Sequence, residues 1–98
     1  MTAARIKSGS VSTSAVAVTM DAYYSAVVVT NRTAATNVLS ARFGTDPTDA
    51  GDNCDVIMPG QSVTIQNPVN SRDLTAVTAT DIRVIGSASG TLYTVKGI

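Results

Sequence analysis

The stretch that decides the fold is Asp55-Val56-Ile57-Met58-Pro59-Gly60-Gln61-Ser62-Val63-Thr64-Ile65-Gln66. Its two halves are short and β-branched, and Pro59-Gly60 stands between them. Proline presets the first central dihedral of a type II turn and glycine accepts the positive φ of the second, so two strands are joined there. The same grammar runs outward in both directions. Val38-Leu39-Ser40-Ala41-Arg42-Phe43 alternates, with Leu39, Ala41 and Phe43 on one face and Gly44 closing it. Ser25 to Asn31 holds the consecutive Val27, Val28 and Val29, a run suited to a strand covered on both faces.

Towards the N-terminus, Val11 to Met20 reads as one strand, with Val16, Val18 and Met20 facing one way and Ala15, Ala17 and Thr19 the other. Towards the C-terminus, Asp81 to Ile85 sets Ile82 and Val84 against Arg83 and Ile85, Gly86-Ser87-Ala88-Ser89-Gly90 supplies a hairpin connection, and Thr91 to Val95 returns. Leu74 to Thr78 suits a short edge strand. No stretch carries the helical period over ten or more positions; a single helical turn fits near Asp21 to Tyr24 or in the Asp-rich loop. The expected fold is therefore all-β, a small antiparallel β-sandwich, Ig-like or jelly-roll-like, of about seven to eight short strands. Residues 1–10 lie outside the pattern and read as a flexible N-terminal arm before a single sandwich domain at 11–98.

Composition narrows the function classes. The chain has 98 residues, room for one core only, and its 44% hydrophobic content is mainly Ala and Val, with no Trp, one Phe and three Tyr. Such a core is thin and aliphatic, and burial against partners would add to it. Seven basic residues balance seven acidic ones, all Asp. A neutral chain lacks the basic surface that draws proteins to phosphates, so nucleic acid is not expected as a partner. No apolar h-region follows Arg5 and Lys7, and the longest apolar run, Ala26 to Val29, is far short of the roughly 20 residues of a membrane helix. No membrane partner is expected, and the protein reads as made in the cytoplasm.

The absence of His and Glu excludes Ser-His-Asp, Cys-His and histidine-metal chemistry. The glycines form no phosphate-cradling pattern. No catalytic residue, cofactor or resident metal is expected, and the chain does not read as an enzyme. Lone Cys54 forms no internal disulfide. Asp46, Asp49, Asp52 and Asp55 are spaced three apart in a loop, a composition that permits calcium but lacks the alternating ligand spacing of an EF-hand; the plainer reading is a solvated loop. Asn31-Arg32-Thr33 matches the N-glycosylation acceptor triplet, a pattern short enough to arise by chance. The residues singled out for partner binding are Tyr23 and Tyr24, which pair a large apolar face with a polar tip, and Arg5, Ile6 and Lys7, with Ile6 as an anchor that reaches over a neighbour.

Val29-Thr30-Asn31-Arg32, Val38 to Gly44, Ile57 to Ile65 and Ile82-Arg83-Val84-Ile85-Gly86-Ser87 together resemble small tailed-bacteriophage virion proteins of the decoration or cement type, over roughly residues 25 to 98. That resemblance implies a structural protein on the outer capsid surface of the virion, often a trimer, in contact with the major capsid protein and copies of itself, and stabilising the head against packaged DNA. It brings no catalytic or ligand residues with it. The alternatives are a tail, neck or fibre component, and a carbohydrate-binding or adhesion module using Tyr23, Tyr24 and Tyr93 with calcium in the Asp loop.

Overall fold

The computed structural model describes residues 6–20, 24–44, 47, 54–68 and 81–98. Eight strands follow in chain order: β1 (Ile6–Val11), β2 (Val16–Thr19), β3 (Ala26–Asn31), β4 (Leu39–Phe43), β5 (Asp55–Ile57), β6 (Ser62–Gln66), β7 (Asp81–Gly86) and β8 (Thr91–Gly97). They form two four-stranded antiparallel sheets, β1-β8-β3-β6 and β2-β7-β4-β5. First pairs with last, second with seventh, third with sixth and fourth with fifth, which is the order of a ribbon folded in half and rolled into a sandwich. This is the jelly-roll arrangement, one of the two sandwich forms the sequence leaves open.

The core lies where the inward faces meet. Val27, Val29 and Val95 of the first sheet face Leu39, Ala41, Ile57, Ile82 and Val84 of the second, all with no exposed surface. Val11, Val18, Met20, Phe43 and Ile65 complete the cluster, with Tyr24, Val63 and Tyr93 packed against it. The strand alternation expected for Leu39, Ala41 and Phe43 and for Ile82 and Val84 holds residue by residue. Among the described residues Phe43 is the only aromatic ring inside the cluster proper, in line with an aliphatic composition.

The expected turn at Pro59-Gly60 joins two strands, whereas the hairpin expected at Gly86 to Gly90 does not form. Met58-Pro59-Gly60-Gln61 is a turn, closed by the Gln61 N–H donating to the Met58 carbonyl at 3.0 Å, with Gly60 at φ 80°. It does not join paired strands. β5 belongs to one sheet and β6 to the other, so the turn carries the chain across the sandwich. The segment Ser87–Gly90 likewise passes from β7 in one sheet to β8 in the other. Local turn chemistry states that the chain reverses, not which strand it will pair with, and only β4 and β5 are both consecutive and paired.

The N-terminal expectations are corrected too. Residues 6–10 are not an arm but belong to β1, paired with β8 from Ile6↔Lys96 to Val11↔Thr91. The strand hides in the sequence because neither face is apolar: Ile6, Ser8 and Ser10 alternate with Lys7, Gly9 and Val11. Gly9 has a packing reason, since a Cβ there would lie 2.9 Å from the Tyr93 phenol oxygen. The single strand expected over Val11 to Met20 is broken between Val11 and Val16, where the chain changes sheets and the Ser12 carbonyl accepts from the Gly86 N–H at 2.9 Å. Arg5, the expected edge strand at 74–78 and all of the helical turn expected at Asp21 to Tyr24 except Tyr24, which has no regular secondary structure, lie outside the described residues.

One buried polar side chain ties the connections together. The Asn31 carboxamide donates to the carbonyls of Asn37 at 2.9 Å and Ile57 at 3.0 Å, and its oxygen accepts from the Thr33 N–H at 3.0 Å. Its main chain donates to the Gln61 carbonyl at 3.0 Å and accepts from the Gly60 N–H at 2.8 Å. Thr33 in turn accepts the Leu92 N–H on its hydroxyl at 2.8 Å, and the Arg32 N–H donates to the Leu92 carbonyl at 3.0 Å.

Replacing Asn31 by Ala strands buried backbone groups, each costing about 1–3 kcal/mol, so urea unfolding is expected to show a loss of roughly 3 kcal/mol or more with an unchanged slope. Two glycines make a graded comparison. Gly60→Ala meets no neighbour and carries only the positive-φ cost of about 1 kcal/mol. Gly97→Ala puts a methyl against the Tyr24 ring and is expected to cost more, about 1–3 kcal/mol. Equal losses at the two positions would show that Tyr24 yields freely.

Candidate functional site

Of the residues the sequence singles out, Ile6, Lys7 and Tyr24 are described. Tyr24 is half-buried; its ring lies over Gly97, and its carbonyl accepts from the Asn67 carboxamide at 3.1 Å, so this side chain is engaged in packing. Lys7 is exposed on β1, and Ile6 is 48% exposed at the start of the same strand. Arg5 and Tyr23 lie outside the described residues. The structure therefore places Ile6 and Lys7 on a sheet edge, on opposite faces of β1, and Tyr24 over Gly97 at the end of the neighbouring β8.

Sequence reading missed the other exposed apolar side chains: Val16, Val56, Met58 and Ile98, each between 39% and 49% accessible. Their placement follows from the topology. β1 and β2 edge the two sheets on one flank of the sandwich, where β1 lies against β7, and they carry Ile6 and Val16. β5 and β6 form the other flank and lie against each other; β5 carries Val56, and Met58 follows at its end. Ile98 continues beyond β8, its N–H donating to the Ala26 carbonyl at 3.1 Å. Ile6 pairs with Lys96, so Ile98 is its diagonal neighbour on the same outer face. Period-two reading assigns apolar residues to the core; only the sheet order shows which of them sit at a rim.

The outer face of the first sheet carries a row of hydroxyls that crosses all four strands: Ser8, Thr94, Thr30 and Ser62 in register. Ser8 and Thr94 are hydrogen-bonded at 3.1 Å, and Thr30 and Ser62 at 2.7 Å. Flanking it is the row Ile6, Lys96, Val28 and Thr64.

A cavity of about 330 Å³ lies at the β5–β6 flank, lined by Arg42, Phe43, Cys54, Asp55, Ile65, Gln66 and Pro68. Arg42 and Asp55 supply opposite charges over an apolar floor of Phe43 and Ile65. Of the acidic series, only Asp55 is described; it opens β5 and is exposed, while Asp46, Asp49 and Asp52 lie outside the described residues. Among the described residues no three His, Cys, Asp or Glu side chains converge as a metal ion requires. No helix among them is long and apolar enough to cross a membrane. The acceptor triplet at Asn31 is in keeping with a chance match, since its carboxamide is fully buried and its nitrogen donates to two carbonyls.

No family model, curated protein or solved structure matches this chain.

Rim residues and core residues separate by experiment. Ile6→Ser and Met58→Gln are expected to leave the urea midpoint within about 0.5 kcal/mol of the parent, whereas Leu39→Ala removes about 2–5 kcal/mol. A large loss at Ile6 or Met58 would make them part of the fold and not of a contact surface.

Proposed function

We propose that this chain is a structural virion protein, a capsid decoration or cement protein that binds the outer surface of a phage head through protein contacts and stabilises it. Its partners on this reading are the major capsid protein and copies of itself, on a virion surface assembled in the host cytoplasm. The observation that carries the reading is the distribution of exposed apolar side chains. Ile6 and Val16 lie on one flank of the sandwich, and Val56 and Met58 on the other. A protein that bridges neighbours needs contacts on more than one side, and large apolar side chains left at the rim are what such contacts bury. The formal net charge of zero suits a chain that works inside an assembly.

Purified protein mixed with heads that lack it is expected to cosediment to saturation at a fixed copy ratio and to raise the temperature at which the heads release DNA. Replacing Ile6 and Met58 together by Ser is expected to weaken that binding at least about ten-fold, the effect of losing one to two buried anchors. Recovery with tails instead of heads would move the protein to the tail, neck or fibre.

The cavity at Arg42, Asp55 and Gln66 favours a second reading, an adhesion module for small polar ligands such as sugars. Binding on a glycan array that Arg42→Ala abolishes, with no affinity for heads, would replace the first reading by this one.

A further inference from the structure

Four strands edge the sheets, and they are not equally protected. β2 has four residues and β5 three, too short to template another strand. β6 has five and runs between Pro59-Gly60 and Asn67-Pro68. β1 has six, Ile6-Lys7-Ser8-Gly9-Ser10-Val11, without proline and with one charge, and β8 is its one partner among the described residues. Every second residue of an edge strand turns its N–H and C=O away from the sheet, so the natural occupant of this edge is another strand.

We propose that this strand is a second copy of β1, antiparallel about a two-fold axis at Ser8, so that two four-stranded sheets become one of eight. Residues directly opposite in an antiparallel pair share a face, which leaves three compact registers, centred on Lys7, Ser8 or Gly9. Centring on Lys7 opposes two ammonium groups and is unfavourable. Centring on Gly9 sets Lys7 against Val11 and leaves Ile6 beyond the end of the partner strand. Centring on Ser8 pairs Ile6 with Ser10 and Lys7 with Gly9 of the other copy. Gly9 has no side chain to obstruct the lysine, and the Tyr93 phenol oxygen beside it is an acceptor for the ammonium group. Exposed Ile6 comes to lie over Ser10, with Leu92 next in its row. The hydroxyl row Ser62-Thr30-Thr94-Ser8 then continues without offset into its own image in the second copy. A formal net charge of zero gives the two copies no net repulsion. The pairing rests on β1 alone and is independent of the capsid reading; it yields a closed two-fold pair and not the trimer that the family resemblance implies.

The test is the mass of the full chain by sedimentation equilibrium from about 10 μM to about 1 mM, the range in which a weak specific pair forms. A rise from 10.0 kDa to twice that value is expected. In a Cys54→Ala background, Ser8→Cys should then oxidise to a covalent dimer, because directly opposed residues hold their Cα atoms about 4.5–5.5 Å apart, within disulfide range. Thr64→Cys, on β6, should not. Ser8→Lys, folded by circular dichroism, should dissociate the pair at least ten-fold more readily. A monomer at every concentration, a trimer, or a dimer that crosslinks at Thr64 and not at Ser8 would overturn the proposal; the crosslink stands as the test even where Ser8→Lys does not fold.

Discussion

The carboxamide of Asn31 is buried between the sheets with both nitrogen hydrogens and its oxygen engaged, and the main chain of the same residue holds the β5–β6 turn. Two connections, β3–β4 and β5–β6, that would otherwise bury unmet backbone groups are satisfied at one point. Its Nδ2 reaches from β3 in one sheet to the Ile57 carbonyl in the other, so the side chain also fixes how the sheets sit. An aliphatic core of Val, Ile, Leu and Ala is non-directional and would tolerate a slide of one sheet over the other. A fully satisfied polar group in that position sets a single arrangement.

From this point the sandwich reads as a division of labour. The apolar faces supply the driving force, at about 1.5–3 kcal/mol for each large side chain removed from water. Glycines supply close approach where a ring must cross the backbone, as with Tyr93 over Gly9 and Tyr24 over Gly97. Tyr24 and Tyr93 thus pack against the core from outside the cluster, which contains Phe43.

Much of the fold was legible from the residues. Alternation located β4 and β7, the Pro59-Gly60 turn located β5 and β6, and the run of valines located β3, although Val28 lies half-buried on the outer face and the strand is not covered on both faces. Pairing was not legible, because Pro59-Gly60 and Gly86 to Gly90 are hairpin-like in composition but join strands of different sheets. β1 was not legible because its stability comes from backbone pairing with β8 and from the Gly9–Tyr93 contact, neither of which leaves a periodic pattern. Asn31 was read as the end of the valine strand and the start of a polar turn; nothing in its place, two residues after Val29, signals a buried carboxamide. Of the surface, Ile6 was identified within Arg5-Ile6-Lys7, whereas nothing in the sequence marked Val56 and Met58, which the sheet order sets at a rim.

The antiparallel pairing of β8 between β1 and β3 has a consequence for synthesis. The first sheet has no centre until Thr91–Gly97 has left the ribosome, whereas β1 and β3 are synthesised well before it. At the usual elongation rate that interval is on the order of 5–20 s. Throughout it β1 and β3 lack their shared neighbour and cannot be stored as a native pair. Folding of this sheet therefore waits on the synthesis of β8, and a nascent chain that carries β1 and β3 without it is a natural client for holding factors at the exit tunnel.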